Sequence, residues 1–401
     1  MTSVEIADVV VIGAGIAGLS AAAALSVDAS VVLVEMEDTA AHHATGRSAA
    51  LFLPTYGPAT VRRLAAASAE FFRSAGHGRS GIPLVTPRSV MYVADEAHRG
   101  RLVTMTRELG RAGGRFDLID APACRERCPA LRHDWVVAGA VDPDALDIDV
   151  AATVATFRSE LIRHGGRLQV GHQVIGLDRM TAGWTVHTTG GSYSSGTVVN
   201  AAGAWVDQLA TLAGVAPLGF QPKRRTMAVS PFATDADPGD HFVAHATMNF
   251  YFSAERGDTV MFSPADETLS EPTDAQPEEI DVARAIDRIN EATTLGLRSV
   301  RQSWAGLRTF SPDGDLVIGP DAGDPTFVWC AGQGGYGIET SPAAGLATAA
   351  LASGRALPEE LRAVGLTPTA LTSARFDPRV VPIECAESLG RQVTASGGCP
   401  E

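Results

Sequence analysis

The chain has 401 residues, of which 45% are hydrophobic and 19% charged, so it holds enough apolar material for more than one packed domain. Its formal net charge of −14 argues against nucleic acid or an anionic membrane as a general partner. There is no long apolar run and no basic targeting stretch near Met1, and the five cysteines are irregularly spaced, so we expect a cytoplasmic protein without an integral membrane segment.

The first predicted elements form a β-α-β unit. Residues 9–12 are a buried strand, residues 17–25 a helix of small residues, and residues 31–34 a second strand that ends at Glu35. Gly13, Gly15 and Gly18 lie between strand and helix with the spacing G-x-G-x-x-G, which allows a tight turn, close approach to a pyrophosphate and close helix packing. Because Glu35 can hold ribose hydroxyls, this unit predicts a dinucleotide site rather than a plain glycine turn.

The remaining periodicity predicts helices over residues 60–74, 96–111, 149–164, 278–291 and 342–352, and strands over residues 167–170, 174–178, 184–188, 197–200, 298–308 and 327–331, with strand-like runs through 223–262. We interpret the chain as a mixed α/β protein with two interleaved domains. A Rossmann-like nucleotide domain uses residues 1–80, 142–220 and 308–378. A β-sheet-based substrate domain uses residues 81–141 and 221–307, and residues 379–401 form a loosely held tail.

Two further glycine-bearing segments favour FAD over NAD as the dinucleotide. Residues 198–205 (VVNAAGAW) read as a strand that ends in small residues, and residues 327–337 (FVWCAGQGGYG) as a strand, a glycine loop and the start of a helix. A helix N-terminus beside the flavin pyrimidine would stabilise the negative charge of the reduced ring. Taken singly, each segment is also compatible with an ordinary strand–turn–helix junction.

Several segments together resemble the D-amino-acid oxidase superfamily of flavoproteins, and within it D-arginine dehydrogenase and related FAD-dependent D-amino acid dehydrogenases. The matching segments are residues 44–50 (ATGRSAA), 200–205, 221–225 (QPKRR), 304–308 (WAGLR) and 333–337 (QGGYG), within a similarity that runs from about residue 7 to about residue 378. The resemblance implies a glutathione-reductase-like FAD fold with extended FAD. The cofactor residues expected from the motif and the resemblance are Gly13, Gly15, Ile16, Ala17, Gly18, Glu35, Arg47, Ser48, Ala49, Ala50, Val174, Ala202, Gly203, Trp205, Gly306, Gly334, Gly335, Tyr336, Gly337 and Ile338.

The resemblance also implies the residues that hold the substrate. Arg225 and Arg308 match arginines that bind the carboxylate of an α-amino acid, for which the planar guanidinium is suited. Tyr56 and Tyr251 match two tyrosines near the substrate, and the carbonyl of Gly335 can accept a hydrogen bond from its amine. Outside the family context, each arginine would be read as a surface ion-pair residue and each tyrosine as a packing residue.

Because successive side chains of a strand point to opposite faces, we expect Arg225 to share a sheet face with Lys223 and Arg224 to point to the other face.

A departure from the family pattern bears on the side chain of the substrate. Relatives that prefer cationic side chains carry a glutamate at the position of Val90 and a histidine at the position of Leu51. A guanidinium buried without a partner charge is costly, so we expect a substrate with a neutral or apolar side chain in a pocket that includes Leu51, Val90 and Met248. Val90 and Leu51 are equally compatible with plain core residues.

The sequence therefore predicts an FAD-dependent enzyme that moves a hydride from Cα of a D-amino acid to flavin N5. The imino acid product would hydrolyse to a 2-keto acid and ammonia, and oxygen or another carrier would accept the electrons. Alternatives are an N-methyl or cyclic secondary amino acid, a 2-hydroxy acid, and a flavin-binding structural component without turnover. We expect no metal site, since Cys124 and Cys128 would need two more ligands nearby in space and no cluster of His or Cys suggests them. We expect His42 and His43 to be solvated or capping.

Overall fold

The architecture comes from a computed structural model that describes residues 4–74, 83–233, 235–255 and 257–376. The strands are β1 (Glu5–Ile12), β2 (Val31–Val34), β3 (Leu51–Phe52), β4 (Val85–Pro87), β5 (Val90–Ala94), β6 (Asp117–Asp120), β7 (Ala138–Asp142), β8 (Leu146–Ile148), β9 (Arg167–Gln169), β10 (Val174–Met180), β11 (Gly183–Thr188), β12 (Gly191–Asn200), β13 (Gln221–Pro231), β14 (Phe242–His245), β15 (Tyr251–Ala254), β16 (Thr259–Ser263), β17 (Thr268–Leu269), β18 (Gln302–Phe310), β19 (Val317–Pro320) and β20 (Phe327–Ala331). The helices are α1 (Ile16–Leu25), α2 (Ala59–Ser74), α3 (Arg99–Arg111), α4 (Ala121–Arg127), α5 (Val150–Arg163), α6 (Val206–Leu212), α7 (Glu279–Ala292), α8 (Gly337–Ala352), α9 (Glu359–Ala363) and α10 (Pro368–Leu371). Within these ranges, no helix is long and apolar enough to cross a lipid bilayer.

The first sheet has eight strands and is built around β1. This strand runs parallel to β2 and β12, and Val10 lies opposite both Val32 and Val198. The sheet continues from β2 to β9, and from β12 to β11 and β10, while the end of β12 also pairs in parallel with β20. All three valines are fully buried. The continuous apolar runs read in the sequence are therefore those of strands covered on both faces, and the predicted β-α-β unit is confirmed.

Helix α8 packs closely against α1 and starts earlier than predicted. A Cβ atom on Gly345 of α8 would lie 2.5 Å from the carbonyl oxygen of Ser20 in α1, so glycine permits the close crossing. The helix begins at Gly337 and not at residue 342. Pro342 has no N–H for the carbonyl of Ile338, but the Ser341 hydroxyl donates to that carbonyl at 2.8 Å. Because this hydroxyl satisfies the carbonyl, the helix continues through Pro342, which the sequence analysis had placed in the first turn of the helix.

The second sheet has nine strands in the order β17-β13-β16-β15-β14-β5-β7-β6, with β18 on the other edge of β13. Helix α7 packs on it, and Val282, Ala285 and Ile289 of α7 join its core. The strand predicted over residues 298–308 was misplaced. The ladder with β13 begins at the pair Gln302–Val229, so the strand is Gln302–Phe310. The bounds of β18 are therefore set by its pairing with β13, which is distant in sequence, and not by the local pattern of apolar residues.

The predicted fold class, a mixed α/β protein of the glutathione-reductase-like FAD type, is confirmed. The first sheet uses segments from 5–12, 31–34, 167–200 and 317–331, and the second uses segments from 90–142 and 221–310. These segments follow the two predicted domains, but the domain boundaries stay a prediction. A small third sheet has three strands in the order β3-β8-β4. The predicted tail, residues 379–401, lies outside the described residues.

Candidate active site

One cavity of about 460 Å³ brings together most of the residues predicted to bind the cofactor. Its size falls in the range of small-molecule sites, and Arg225 and Arg308 also line it. The predicted cofactor residues that line it are Gly13, Gly15, Ile16, Ala17, Glu35, Arg47, Ser48, Ala49, Val174, Ala202, Gly203, Trp205, Gly306, Gly334, Gly335, Gly337 and Ile338. The structure does not place Gly18, Ala50 or Tyr336 among the lining residues.

The loop between β1 and α1 presents bare backbone to this cavity. Gly13 has a φ of +99°, and a Cβ atom there would lie 2.5 Å from the carbonyl oxygen of Ala201. Gly18 lies behind the loop, where a Cβ atom would be only 1.8 Å from the carbonyl oxygen of Gly13. Both glycines are therefore required by the turn and its packing, and an anionic group can approach the amide groups at the start of α1.

Two side chains hold this loop in place. Glu35 accepts a hydrogen bond from the Ala14 N–H at 2.6 Å, and the hydroxyl of Thr45 accepts one from the Ile16 N–H at 3.0 Å. Both side chains line the cavity and are buried. Glu35 thus serves the turn as well as facing the cavity. Thr45 was missed by the sequence reading, because it reaches the Ile16 N–H from a position 29 residues away along the chain.

Of the two adjacent histidines, which were expected to be solvated or capping, one is exposed as expected and the other is partly buried. His42 is exposed, but both His42 and His43 line the cavity. The Nε2 atom of His43 lies 2.9 Å from a carboxylate oxygen of Glu37, and the His43 ring packs 4.8 Å from the Trp205 ring. The pairing with Glu37 and Trp205 turns His43 toward the cavity, and neither contact can be read from local sequence.

Arg47 connects the loop after β2 to the second sheet. Its guanidinium donates to the carbonyl oxygens of Ala275 at 3.1 Å and Ala305 at 2.7 Å, and it forms an ion pair with Asp274. In return, the Trp304 indole N–H donates to the Arg47 carbonyl oxygen at 3.0 Å. Because its donors are used by the protein itself, Arg47 shapes the cavity wall by holding these segments together.

The two predicted substrate arginines lie on one face of the second sheet. In the antiparallel pair β13–β18, Lys223 is directly opposite Arg308, so their side chains emerge on the same face, which Arg225 shares by alternation. Contacts confirm the predicted alternation, because Lys223 and Arg225 both pair with Glu267. Arg224 instead forms ion pairs with three carboxylates on the other face, those of Asp266, Glu278 and Asp281.

The two arginines differ in how many hydrogen bonds and ion pairs their side chains make with the protein. Arg225 donates to the carbonyl oxygen of Asp266 at 2.8 Å and to the Glu267 carboxylate at 3.1 Å. Within the described ranges, the Arg308 side chain makes no hydrogen bond or ion pair, and it packs against Gly335, where a Cβ atom would lie 3.0 Å from its Nη1. Burial and the neighbouring Arg225 charge lower the pKa of Arg308. A desolvated cation beside a second cation calls for an anionic ligand.

Tyr56 and Tyr251 lie close enough to both arginines for their charges to act on them. Burial alone would raise the pKa of Tyr251, but the charges of Arg225 and Arg308 outweigh it and lower the pKa. For Tyr56, burial outweighs the same two charges, and its pKa is raised. The Tyr56 ring packs against Tyr336 with ring centres 5.5 Å apart. The charges of the arginine pair therefore reach two phenol groups whose pKa values shift in opposite directions.

A packed apolar cluster contains the residues predicted for the substrate pocket. Val90 and Tyr251 belong to one buried cluster, and Leu51 and Met248 are partly buried against it. Val90 is itself only 1% exposed, in the middle of the second sheet. None of these four residues lines the cavity, and the substrate pocket predicted from Leu51, Val90 and Met248 stays a prediction.

A buried carboxyl group supports the same region. Glu339 in the first turn of α8 accepts a hydrogen bond from the Leu53 N–H at 2.7 Å, which ties α8 to the segment that follows β3. Burial raises the pKa of Glu339 to about 8, so this carboxyl group is mostly protonated at neutral pH. The sequence reading did not single out Glu339, because nothing local distinguishes a buried glutamate from a first-turn glutamate that faces solvent.

Comparisons with known proteins agree with this geometry. A family model described as DAO, FAD dependent oxidoreductase, matches residues 8–351. Among solved structures, glycine oxidase from Geobacillus kaustophilus superimposes with a TM-score of 0.77 at 19% identity, covering 90% of this chain and 99% of that one. L-proline dehydrogenase from P. horikoshii gives 0.76 at 18%, covering 94% and 99%. FAD-bound L-α-glycerophosphate oxidase from Mycoplasma pneumoniae gives 0.76 at 18%, covering 87% and 95%.

Proposed function

The chain belongs to the DAO family of FAD-dependent oxidoreductases, and from this premise we propose that it oxidises the Cα–N bond of a D-amino acid with a neutral or apolar side chain. The observation that carries the proposal is the Arg308 guanidinium next to Arg225, which is desolvated and has no hydrogen-bond or ion-pair partner among the described residues. An α-carboxylate supplies the two acceptor oxygens that such a site lacks. The names of glycine oxidase and L-proline dehydrogenase among the structural neighbours also favour an amino acid.

The cavity fits FAD. The bare backbone at Gly13 and Gly15 leaves room for a pyrophosphate, Glu35 offers a carboxylate for ribose hydroxyls, and the N-terminus of α8 begins at Gly337 in the same wall. When bound, FAD supplies the two-electron acceptor for the hydride that leaves Cα.

The protein residues then bind and orient the substrate. In the proposed mechanism, Arg308 and Arg225 hold the carboxylate, and the Gly335 carbonyl accepts a hydrogen bond from the amine. With the amine unprotonated, its lone pair forms the C=N bond as the hydride departs, so no dedicated protein base is needed. Water then adds to the imino acid and releases ammonia and a 2-keto acid. Tyr251 and Tyr56 contribute hydroxyl groups near the arginine pair, where the charges of Arg225 and Arg308 act on both.

The side-chain preference rests on the apolar cluster. Val90, Leu51 and Met248 provide no charge for a substrate guanidinium, which is why we do not assign D-arginine as the substrate despite the resemblance to D-arginine dehydrogenase.

A substrate panel with the purified yellow protein tests the proposal. We expect anaerobic D-leucine or D-methionine to bleach the flavin absorbance, and a dye acceptor to support turnover with formation of the 2-keto acid and ammonia. The panel includes the L-enantiomers, D-arginine, N-methyl and cyclic secondary amino acids, and 2-hydroxy acids, which the same arginines would hold. Preference for any of these over the neutral D-amino acids would contradict the proposed substrate class, and absence of bleaching by all of them would favour a flavoprotein without turnover.

Glu267 should compete with the substrate for Arg225. Its carboxylate is about half exposed and pairs with Arg225 at 3.1 Å and Lys223 at 3.6 Å. Since half-exposed ion pairs are worth up to about 1 kcal/mol, Glu267→Gln should lower KM by about two- to fivefold with little change in kcat. Steady-state kinetics measure this, with Glu271→Gln as the control because Glu271 is an exposed neighbour that makes no ion pair in the described ranges. A rise in KM for Glu267→Gln would show that Glu267 helps to bind the substrate.

A further inference from the structure

The nine-stranded sheet is interrupted beside Arg225. Strand β16 leaves its ladder with β13 at Ala228, and β17 resumes the pairing with β13 at Arg224. The connection between β16 and β17, residues 264–267, is longer than the stretch of β13 that it passes, so it cannot follow the ladder and forms a bulge. The residues of this bulge are therefore free to turn toward the Arg225 side chain.

One residue of the bulge has a strained backbone. Ala265 has a φ of 55°, in the left-handed region that residues other than glycine rarely adopt. Its N–H donates to the hydroxyl of Ser263 at 2.9 Å, and the same hydroxyl donates to the Thr226 carbonyl oxygen at 2.6 Å. These bonds fix the turn onto β13. Strain of this kind persists only where the surrounding contacts overdetermine it, and it is concentrated at functional sites.

Asp266, the next residue of the bulge, holds β13 through both its side chain and its main chain. Its carboxylate accepts hydrogen bonds from the Thr226 N–H at 2.6 Å and the Thr226 hydroxyl at 2.9 Å, and it pairs with Arg224 at 3.3 Å. Its main-chain carbonyl oxygen accepts a hydrogen bond from Nε of Arg225 at 2.8 Å. Only 6% of the Asp266 side chain is exposed, so water competes little for these contacts. Because both acceptors belong to one residue, fixing the carboxylate also fixes the carbonyl.

The carbonyl of Asp266 determines which donors of Arg225 remain for a ligand. A guanidinium has donors at Nε and at two terminal nitrogens, and Nε is used by Asp266. One terminal nitrogen, Nη2, pairs with Glu267, whose half-exposed carboxylate makes the weaker contact of the two. An anionic ligand can replace Glu267 but not the buried carbonyl. Arg225 therefore meets a ligand through its terminal nitrogens only.

We propose that Asp266 is a positioning residue for the substrate carboxylate, because it fixes the Arg225 side chain so that its terminal nitrogens and the guanidinium of Arg308 meet the same carboxylate. This inference rests on the carboxylate clamp of the proposed function and adds the residue that orients one half of it. Asp266 does not line the cavity, so it acts through Arg225 and does not touch the substrate. Sequence analysis did not find it, since the bulge depends on the register of β16 and β17 with β13.

Asp266→Asn in the full-length, FAD-containing protein tests this role. The amide keeps one oxygen for the Thr226 N–H, but its NH₂ group cannot accept from Arg224, so the side chain shifts at constant volume. For the amino acid that bleaches the flavin, we expect KM to rise about tenfold and kcat to fall by less than about threefold, because the misplaced Arg225 weakens binding of the ground state and the transition state alike. Steady-state kinetics measure both quantities.

The matched control is Asp281→Asn. Asp281 also pairs with Arg224, at 2.9 Å, and its side chain is 14% exposed. Its side-chain hydrogen bonds within the described ranges go to Arg224 and Arg284, and none reaches Arg225 or Thr226. The control should keep KM within about twofold of the wild type. An equal rise in KM in both variants would assign the effect to the charge around Arg224 and overturn the proposal.

A double-mutant cycle shows whether Asp266 acts through Arg225. Arg225→Met removes the guanidinium but keeps an unbranched side chain, so adding Asp266→Asn to it should change KM by less than about twofold. A further tenfold rise in the double variant would overturn the proposal. If Asp266→Asn does not retain FAD, Thr226→Val takes its place, since it removes only the hydroxyl bond to Asp266 and should raise KM about threefold with Arg225 present and not without it.

Failure of this inference is distinguishable from failure of the proposed function. If Arg308→Ala loses turnover but Asp266→Asn keeps the wild-type KM, the clamp stands and only the role of Asp266 is refuted. If Arg308→Ala keeps full turnover, the clamp itself is wrong and the role of Asp266 is refuted with it.

Discussion

Replacing Arg308 by alanine should lower kcat/KM on the order of a thousandfold while FAD stays bound. The Arg308 side chain makes no hydrogen bond or ion pair within the described ranges, so its donors are available to the substrate. Two charge-assisted hydrogen bonds of about 2 kcal/mol each correspond to that loss. Removing a desolvated cation beside Arg225 also relieves repulsion, so the variant should fold at least as stably as the wild type. Steady-state kinetics, flavin absorbance and thermal unfolding measure these three quantities.

Two further variants separate a carboxylate clamp from a general effect of charge. Arg308→Lys keeps the positive charge but loses the planar fork, so we expect about a tenfold recovery over alanine and not full activity. Arg301→Ala is the control, because Arg301 lies just before the same strand and pairs with Asp258 at an exposed position. Turnover near the wild-type rate in Arg308→Ala would remove the main support for the proposed function without touching the assignment of FAD.

Much of the fold could be predicted because the decisive signals are local. The apolar runs around Val10 and Val32 predict strands buried on both faces, and the glycines between them predict the turn. The alternation of Lys223 and Arg225 against Arg224 also needs only the two-residue period of a strand. Each of these predictions depends on residues that are neighbours in the chain, where backbone geometry leaves few choices.

The site was less predictable because its contacts join distant segments. That Arg308 faces the same side as Lys223 follows from the register of β13 with β18, which no local pattern contains. The pairing of Glu267 with Arg225 and the contact of Asp266 with Thr226 are of the same kind. A family resemblance found the arginines, but it could not show which of them has no partner in the described part of the chain, and that difference carries the functional argument.

Replacing Gly18 by alanine should remove FAD from the protein, although Gly18 does not line the cavity. The added Cβ atom would lie 1.8 Å from the carbonyl oxygen of Gly13 and 3.3 Å from the Cβ atom of Ala201, so α1 must move away from β1 and take the glycine turn with it. Overpacking of this kind costs about 1–3 kcal/mol of folding free energy. Because the amide groups that would meet the pyrophosphate lie in the displaced turn, we expect a nearly colourless protein with FAD affinity lowered at least about a hundredfold.

Gly196→Ala in β12 is the matched control for this loss of FAD. Its Cβ atom would meet nothing closer than the Asp8 carbonyl oxygen at 3.6 Å, an ordinary contact, so this variant should keep its FAD and unfold near the wild-type temperature. Flavin content per chain and thermal unfolding measure both variants. A yellow Gly18→Ala protein with wild-type FAD content would mean that the turn does not position the cofactor. The two large effects are opposite in kind, since Arg308→Ala keeps the flavin and loses turnover whereas Gly18→Ala loses the flavin itself. Cofactor binding and substrate binding are thereby tested on separate residues of one cavity region.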